Sequence, residues 1–490
     1  MTTICLSFRA LARRAVVWLA LAGAPPLGAQ QPITLPQAVE LAQQQGYQAR
    51  AAEATRDAAR YRDRAFYSRL LPRLSLGATM PNYNRSIIEV VQPDGSTLFR
   101  TQNQTTAALT ATVSQTLPVT GGDLFISSSL ARLSVSGAQE LRTWSSTPVS
   151  VGLRQPLFRP NIAGWDRREQ PVRHELAERQ YREQREDIAL QTADRFFDVY
   201  AAQVALENAT KNAAVNDTLF TLNKGRFEVG RIGENDLLQS ELALLRSRTT
   251  LDGARLDYQR TLAALRLALN LPPDSPLEIT APASTPVVEA DTARAVAEAL
   301  RNRASVSDVE LQQVQADRRV TEAKLTNGFG AMLQASYGFN ATAPEFDLVY
   351  RDLLEARRVT LAIEIPLLQW GVRKEGVQAA EAERERVEST GRSTLEQTVH
   401  EAHFAALELS QARRRLVLSA SADTVAEKRF QVAYNRYVIG RISIDNLYIA
   451  QTEKDQARTQ YVQALRNYWQ TYYRLRRVTL FDFERGQVIQ

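Results

Sequence analysis

The three histidines are the residues of this chain best suited to metal or acid–base chemistry. His400 and His403 flank Glu401, but the helical zinc-protease pattern needs histidines four positions apart, so that both face one side. Here the spacing is 403 − 400 = 3, and an ordinary helix surface is the better interpretation. His174 stands apart in the sequence, which leaves no third metal ligand and no catalytic partner that spacing identifies. We therefore expect no enzyme activity, no metal and no cofactor.

Two further patterns could bind phosphate or nucleic acid. Gly121 and Gly122 would suit a phosphate-binding loop only if a helix followed, whereas the residues that follow alternate as in a strand. Aromatic and basic residues are mixed over residues 461–477, a composition found on surfaces that bind single strands. Helix packing beneath solvated arginines explains them better, because the matching residues 258–269 are aliphatic and also have a helical pattern. We expect no nucleic-acid partner.

The N-terminus has the features of an export signal. A basic start is followed by an apolar run over residues 15–24 and by small residues that end at Ala29, which predicts a cleaved signal peptide. The alternative, an uncleaved membrane anchor, would need about 20 apolar residues. Cys5, the single cysteine, lies in this segment, so we expect the exported protein to contain no disulfide and no thiolate metal site.

One segment of the chain occurs twice. Residues 226–233 and 436–443 have similar sequences, identical at four of eight positions, and the glycines Gly230 and Gly440 are offset by 440 − 230 = 210 positions. Pro156 and Pro366, each followed by leucine, have the same offset, 366 − 156 = 210. Two separate pairs with one offset predict an internal duplication. The predicted division is a signal peptide at 1–29, a first repeat at 30–275, a proline-rich linker at 276–290, a second repeat at 291–480 and a tail at 481–490.

Each repeat contains strands whose side chains alternate between apolar and polar. Residues 74–80 and 333–340 alternate in this way. So does the last strand, where the apolar Leu361 and Ile363 alternate with positions that include the polar Thr360. One apolar face and one polar face suit a barrel wall between lipid and water, and each run is near the ~9–11 residues that a spanning strand needs. A soluble sandwich alternates similarly, so strand chemistry alone leaves both architectures open.

Pro156 and Pro366 mark a switch from strand to helix in the two repeats. From about residues 166 and 372 the chain becomes rich in alanine, arginine and glutamate, with apolar residues three or four positions apart. This pattern predicts helices of roughly fifty to sixty residues, on the order of 80 Å long. Each ends at a glycine for which we expect a positive φ, and a second helix then runs to about residue 270 or 478. Each repeat should therefore contain a tall antiparallel helical hairpin.

Helix, strands, a proline-ended strand, a long helix, a glycine tip and a second long helix occur twice in that order. This order resembles the TolC family of outer-membrane efflux proteins over essentially the whole predicted exported chain. The resemblance implies a mixed α/β membrane protein with an internal two-fold repeat, in which a trimeric outer-membrane β-barrel is continuous with a long α-helical periplasmic tunnel. Each chain of the homotrimer would give about four strands to a twelve-strand barrel in outer-membrane lipid.

The same resemblance implies a passive exit duct of a tripartite efflux or type I secretion system. A periplasmic adaptor, also called a membrane fusion protein, would join it to an inner-membrane pump of RND or ABC type. The protein would lie in the outer membrane of a Gram-negative-type cell and extend into the periplasm. The class of cargo is left open.

The resemblance also implies roles for residues at the two helical tips. Adaptor docking is expected at Val229, Gly230, Arg231, Ile232, Ile439, Gly440, Arg441 and Ile442. The family commonly has an aspartate six positions after the glycine, lining the periplasmic constriction, and Asp236 fits because 236 − 230 = 6. In the second tip Asn446 has that spacing and Asp445 lies one position before it, so carboxylates are fewer here. The alternative is that Asp236 only favours a helix N-terminus.

One stretch departs from the family pattern. Before the strand that matches the second half, the first half inserts a hairpin-like segment at about residues 117–136. If it joins the barrel, each chain supplies six strands; otherwise it is an elaboration at one end, and the sequence leaves both possibilities open.

The chief alternative from another class is a soluble periplasmic coiled-coil adaptor or scaffold, which explains the helices and the export but not the alternating strands.

Overall fold

The computed structural model describes residues 32–137, 140–282 and 285–489. The predicted signal peptide at residues 1–29 lies outside these ranges. Among the helices within them, none combines the length and the apolar character that crossing a membrane requires.

Long helices and long strands make up the described chain. In chain order the elements are α1 Leu35–Gln45, α2 Tyr47–Arg69, β1 Arg73–Val91, β2 Thr97–Leu117, β3 Gly122–Gly137, β4 Leu141–Leu157, α3 Ile162–Glu228, α4 Glu234–Ala268, α5 Thr292–Asn302, α6 Ala304–Thr326, β5 Gly330–Ala343, β6 Leu354–Glu364, α7 Val372–Val438, α8 Ile444–Thr479, β7 Phe481–Asp482 and β8 Gln487–Val488. A single 3-10 turn, Phe346–Leu348, lies between β5 and β6.

Helices of the two halves have matching lengths. Helices α1 and α5 each contain 11 residues, α2 and α6 each 23, and α3 and α7 each 67, longer than the predicted fifty to sixty. The long helices start 372 − 162 = 210 positions apart, whereas β1 and β5 start 330 − 73 = 257 positions apart. The first half therefore has 257 − 210 = 47 more residues than the second between its first strand and its long helix.

Local sequence signals explain where several helices begin. The backbone N–H of Thr34 donates to Oε1 of Gln37 at 2.9 Å, which completes a capping box at the start of α1. Asp291 accepts from two backbone N–H groups at the start of α5. The Asn161 side chain accepts from the backbone N–H of Gly164 at 2.8 Å and so caps α3. Helix α3 thus starts at Ile162, four residues before the predicted start at 166.

The six long strands form one antiparallel sheet in the order β1-β2-β3-β4-β5-β6. They contain 11 to 21 residues, and the stretch that departs from the family pattern forms β3 and the turn before it. The outer edges of β1 and β6 have no partner strand in the described chain. Strand β4 ends one residue after Pro156, and β6 ends two residues before Pro366.

Partners on neighbouring strands form rows that alternate in character, as the two-residue period predicts. One mainly apolar row contains Leu74, Val113, Ile126, Val151 and Tyr337, and it ends on β6 at Arg357, whose guanidinium lies over the Tyr337 ring. The next row, on the opposite face, contains Ser75, Thr112, Ser127, Ser150 and Gly338. The sheet thus has one mainly apolar face and one mainly polar face.

The main apolar core lies near the middle of the long helices. Phe196 and Phe197 of α3 are fully buried there, packed with residues of α1, α4, α7 and α8. The proline-rich linker crosses this core, since Leu277 and Ile279 are buried and Ile279 bridges to Ile33. The predicted tail also packs: Phe481, in the small β7–β8 hairpin, is 3 % exposed.

Candidate functional site

The two helical tips have the same backbone geometry. Gly230 and Gly440 have φ of +69° and +75°, as predicted for residues that end a helix. In the first tip the N–H of Arg231 donates to the carbonyl of Arg226 at 2.8 Å, and in the second the N–H of Arg441 donates to the carbonyl of Arg436 at 2.9 Å. These bonds satisfy carbonyls that the helix end would otherwise leave unpaired.

Both tips expose apolar side chains beside these glycines. Val229 is 68 % exposed and Ile439 is 64 % exposed. Arg231 and Arg441 are exposed, whereas Ile232 and Ile442 are half-buried. A Cβ atom at either glycine would meet no atom within 4 Å, so the backbone conformation alone favours glycine there. The tips therefore present an apolar and basic surface on a rigid turn.

Arg226 joins the two tips within one chain. Its guanidinium donates to the carbonyl of Val438 at 2.9 Å and lies over the ring of Tyr437, 5.2 Å from the centroid. The hydroxyl of Tyr437 in turn donates to Oδ1 of the fully buried Asn223 at 2.6 Å. The end of α3 therefore both covers and hydrogen-bonds the end of α7.

A small apolar cluster supports the tips from beneath. Its buried members are Leu219, Phe430, Tyr437, Ile444 and Leu447. Tyr448 packs against it, and burial, with a smaller contribution from nearby Tyr437, raises the pKa of Tyr448 to about 12. The buried hydroxyl of Tyr448 has no hydrogen-bond partner in the described chain.

The polar residues predicted to line a constriction lie where α4 and α8 begin. Asp236 is half-buried in the first turn of α4, whereas Asp445 and Asn446 are exposed in the first turn of α8. Gln239, three residues after Asp236 on α4, donates to the Asp445 carboxylate at 2.7 Å. Asn446 donates to the Ser443 hydroxyl at 3.0 Å. The structure thus brings Asp445 to α4 but turns the Asn446 amide toward its own helix start.

The histidines serve packing in this structure. The rings of His400 and His403 both contact the Phe404 ring, with centroids 6.5 Å and 5.4 Å away. Nδ1 of His174 is buried and has no hydrogen-bond partner within the described ranges. No group of three or more His, Cys, Asp or Glu side chains among the described residues could hold a metal ion.

Sequence reasoning missed the link between the tips. Arg226, Asn223 and Tyr437 carry it, yet none was singled out as a site residue. The available signal was one of the differences between the two similar tip segments: Phe227 in the first corresponds to Tyr437 in the second, since 437 − 227 = 210. The additional hydroxyl is the group that reaches Asn223.

Comparison with known proteins agrees with this arrangement. Residues 38–271 match the family model described as outer membrane efflux protein. No curated protein sequence matches the chain. The predicted resemblance to this family is thereby confirmed.

Solved structures of outer membrane channels share the fold. The Campylobacter jejuni CmeC channel superposes with a TM-score of 0.65 at 14 % identity, covering 96 % of this chain and 92 % of that chain. The Vibrio cholerae outer membrane protein VceC gives 0.65 at 16 % identity, covering 93 % and 97 %. The open state of the Neisseria gonorrhoeae MtrE outer membrane channel gives 0.61 at 13 % identity, covering 91 % and 88 %. At these identities the likeness establishes the fold.

Proposed function

From the premise that this chain is an outer membrane efflux protein over residues 38–271, we propose that it is a passive exit duct in the outer membrane. Three copies close one barrel with their sheets and form one periplasmic tunnel with their long helices. A periplasmic adaptor docks at the tips, and an inner-membrane pump of RND or ABC type supplies the energy. The chain itself catalyses no reaction and needs no cofactor.

One observation carries this proposal: the apolar face of the sheet has no cover. Val359 is 77 % exposed, Leu74 72 % and Leu361 54 %. Contiguous apolar surface of this extent is unusual for a protein surrounded by water. Lipid around the outside of a closed barrel would cover it, while the opposite, polar face would line a water-filled interior.

Aromatic residues at both ends of the strands support the same orientation. At the end away from the long helices, Trp144 packs edge-on against Phe346, with centroids 5.2 Å apart. At the helix end, Phe158 packs against Phe329 at 5.1 Å, and Trp370 is 88 % exposed. Two aromatic girdles that bound an apolar band are typical of outer-membrane barrels.

The free edges of the sheet support closure by further copies. Strands β1 and β6 run in opposite directions, because the sheet contains six strands that are all antiparallel. Strand β6 of one copy can therefore pair antiparallel with β1 of the next, which removes both edges in a closed ring. Each α3 is about 100 Å long at 1.5 Å per residue, so the tips would lie deep in the periplasm.

Fractionation tests the proposal against the alternative of a soluble periplasmic adaptor or scaffold. A duct should require detergent for extraction and should run as a heat-modifiable oligomer. A scaffold would leave the cell with the osmotic-shock fluid, and that result would contradict the proposal.

Arginine substitutions test which face meets lipid. Alternation alone favours Ile363 for this test, but Ile363 lies one residue from the end of β6, where the cost of a charge is small. Val359, near the middle of β6, is the better position, and Val359→Arg should cost about 2–4 kcal/mol and reduce the yield of assembled protein. Thr360→Arg is the matched control, because Thr360 shares its polar row with Gln334 and Arg154. Equal yields from both variants would contradict the assignment of faces.

A further inference from the structure

The β2–β3 hairpin lies in the 47-residue surplus of the first half. Strands β1 and β5 directly follow helices α2 and α6, and strands β4 and β6 lead directly into helices α3 and α7. Strands β2 and β3 connect to no helix; a short turn at residues 118–121 joins them at the helix end of the sheet. We call the four strands that connect to a helix the tethered strands; β2 and β3 are the two long strands of the sheet that are not tethered.

The hairpin is nevertheless built into the middle of the sheet. Strand β2 pairs with β1 from Arg73↔Ser114 to Val91↔Thr97. Strand β3 pairs with β4 over most of its length, and β1 does not pair with β4 in the described chain. Without the hairpin, therefore, the strands tethered to α2 and α3 would not be joined.

The hairpin also continues the two faces of the sheet. Val113 and Ile126 lie in the same apolar row as Leu74 and Val151, on strands tethered to helices. Thr112 and Ser127 occupy the adjacent polar row. A surface elaboration would have no need to match this alternation, whereas a wall between lipid and water requires it at every strand.

Two side chains, one on β4 and one at the start of α3, hold the hairpin at its helix end. Nδ2 of Asn161, the residue that caps α3, donates to the carbonyl of Pro118 at 2.8 Å. Nε2 of Gln155 donates to the carbonyl of Thr120 at 2.8 Å. The Asn161 side chain thus both caps α3 and binds the turn of the hairpin.

An aromatic ring fixes the hairpin across the sheet. The ring of Phe125 on β3 lies against Gly152 of β4, where a Cβ atom would come within 2.3 Å of the ring. Glycine at this position therefore leaves room for a close contact between the inserted strand and a tethered one.

We propose that the β2–β3 hairpin is part of the barrel wall, so that three chains close 3 × 6 = 18 strands instead of the twelve that the family resemblance implies. This inference rests on the proposed trimeric duct. Barrel diameter grows roughly linearly with strand number, so the exit would be about 1.5 times as wide as a twelve-strand barrel. The tunnel gains no helix from the insertion, and the widening is confined to the barrel. Its mouth would therefore admit bulkier hydrated solutes, such as flexible hydrophilic polymers.

Cysteine pairs test the wall position within one chain. Leu74→Cys with Val113→Cys, and Ile126→Cys with Val151→Cys, should oxidise to disulfides, because each pair faces its partner on neighbouring strands. Leu74→Cys with Val151→Cys should not, because two strands separate them, a distance of about 14 Å. A disulfide between positions 74 and 151 would place β1 beside β4 and overturn the proposal.

Deleting the hairpin tests the width. Removal of residues 97–137 leaves a loop between β1 and β4, and Leu74 and Val151 keep the same face because they share a row. With polyethylene glycols added at the barrel side in bilayer recordings, the native protein should admit polymers about 1.5 times as wide as the deletion variant does. An equal size limit would overturn the proposal.

The two experiments separate failure of this inference from failure of the proposed duct. If the native protein is not extracted as an oligomer and forms no pore, the duct fails. The cysteine pairs still report whether the hairpin lies between β1 and β4, even where the deletion variant does not assemble.

Discussion

The long helices bury apolar side chains at two heights, and the two clusters differ in what else is buried with them. Near the middle, Phe196 and Phe197 pack with Tyr468 and Leu475 of α8 in the main core. Near the tips, the buried cluster contains five apolar or aromatic residues. The same pairs of helices thus meet over a large apolar surface in one place and a small one in the other.

The polar groups sharpen this difference. In the central region Arg476 contacts the buried Glu186 at 3.0 Å and Asp482 at 2.9 Å, whereas Arg266 Nε and Trp469 Nε1 have no hydrogen-bond partner among the described residues. The tip region leaves Asn216 Oδ1, Asn223 Nδ2 and the Tyr448 hydroxyl unpaired. Unpaired buried polar atoms cost free energy, so opening the tips should require less free energy than opening the middle.

Phe196→Ala should have the largest effect, because the Phe196 side chain is fully buried in the main core. We expect a loss of about 3–5 kcal/mol in the free energy of unfolding, measured by thermal unfolding of the detergent-solubilised protein. Phe404→Ala is the control, since Phe404 is 55 % exposed, and it should cost less. Similar losses of unfolding free energy from both variants would contradict the prediction that the main core contributes more to stability than the exposed Phe404 side chain.

Tyr437→Phe should act at the tips alone. It removes the hydroxyl that donates to Asn223 and leaves a second unpaired polar atom on that side chain, a cost of about 1–3 kcal/mol. Hydrogen exchange should accelerate near residues 219–240 and stay unchanged around Phe196. Tyr434→Phe is the control, because the half-buried Tyr434 makes no hydroxyl hydrogen bond within the described chain. Acceleration in the middle as well would mean that the two clusters open together.

Gly230→Val and Gly440→Val should distort one tip each. Positive φ costs a residue with a side chain about 1–2 kcal/mol, and more when it is β-branched. We expect oligomer abundance near normal but weaker crosslinking to the adaptor and reduced export. Gly253→Val is the control, because Gly253 of α4 lacks the positive φ and has open space around it. If oligomer abundance and export fall equally, these glycines stabilise the helix ends and have no separate role in docking.

Asp236→Asn should leave stability nearly unchanged and alter conduction. Three copies of this carboxylate in one ring would attract cations, so the variant should show reduced cation preference in bilayer recordings. Asp445→Asn should have a smaller effect, because Gln239 already donates to that carboxylate. Unchanged ion preference in Asp236→Asn would leave this residue as a helix-start residue.

Local patterns predicted the order of the elements and the ends of many of them. The start of α7 at Val372 and the positive φ of Gly230 and Gly440 follow from neighbouring residues, and the structure has both features. Alternation likewise identified the strands and their faces. It did not identify their full lengths, because residues beyond the alternating runs also pair in the sheet.

Contacts between distant residues were beyond such reasoning. Burial alone would raise the pKa of Glu169, but hydrogen bonds from Arg318 and Arg173 bring it below its usual value. Arg318 lies 149 positions away along the chain, and no local pattern marks that distance. The packing of the proline-rich linker and of Phe481 escaped prediction for the same reason, since proline-rich and terminal segments read as loops.

The ion pair between Glu186 and Arg476 joins residues 290 positions apart. A polypeptide that is threaded through a membrane N-terminus first presents Glu186 long before Arg476 follows. The central core, which needs α8 and the β7–β8 hairpin, therefore cannot close until residues up to 488 have emerged. A product that lacks α8 would lack both the Arg476 partner of Glu186 and one side of this core, and would therefore remain open to proteolysis.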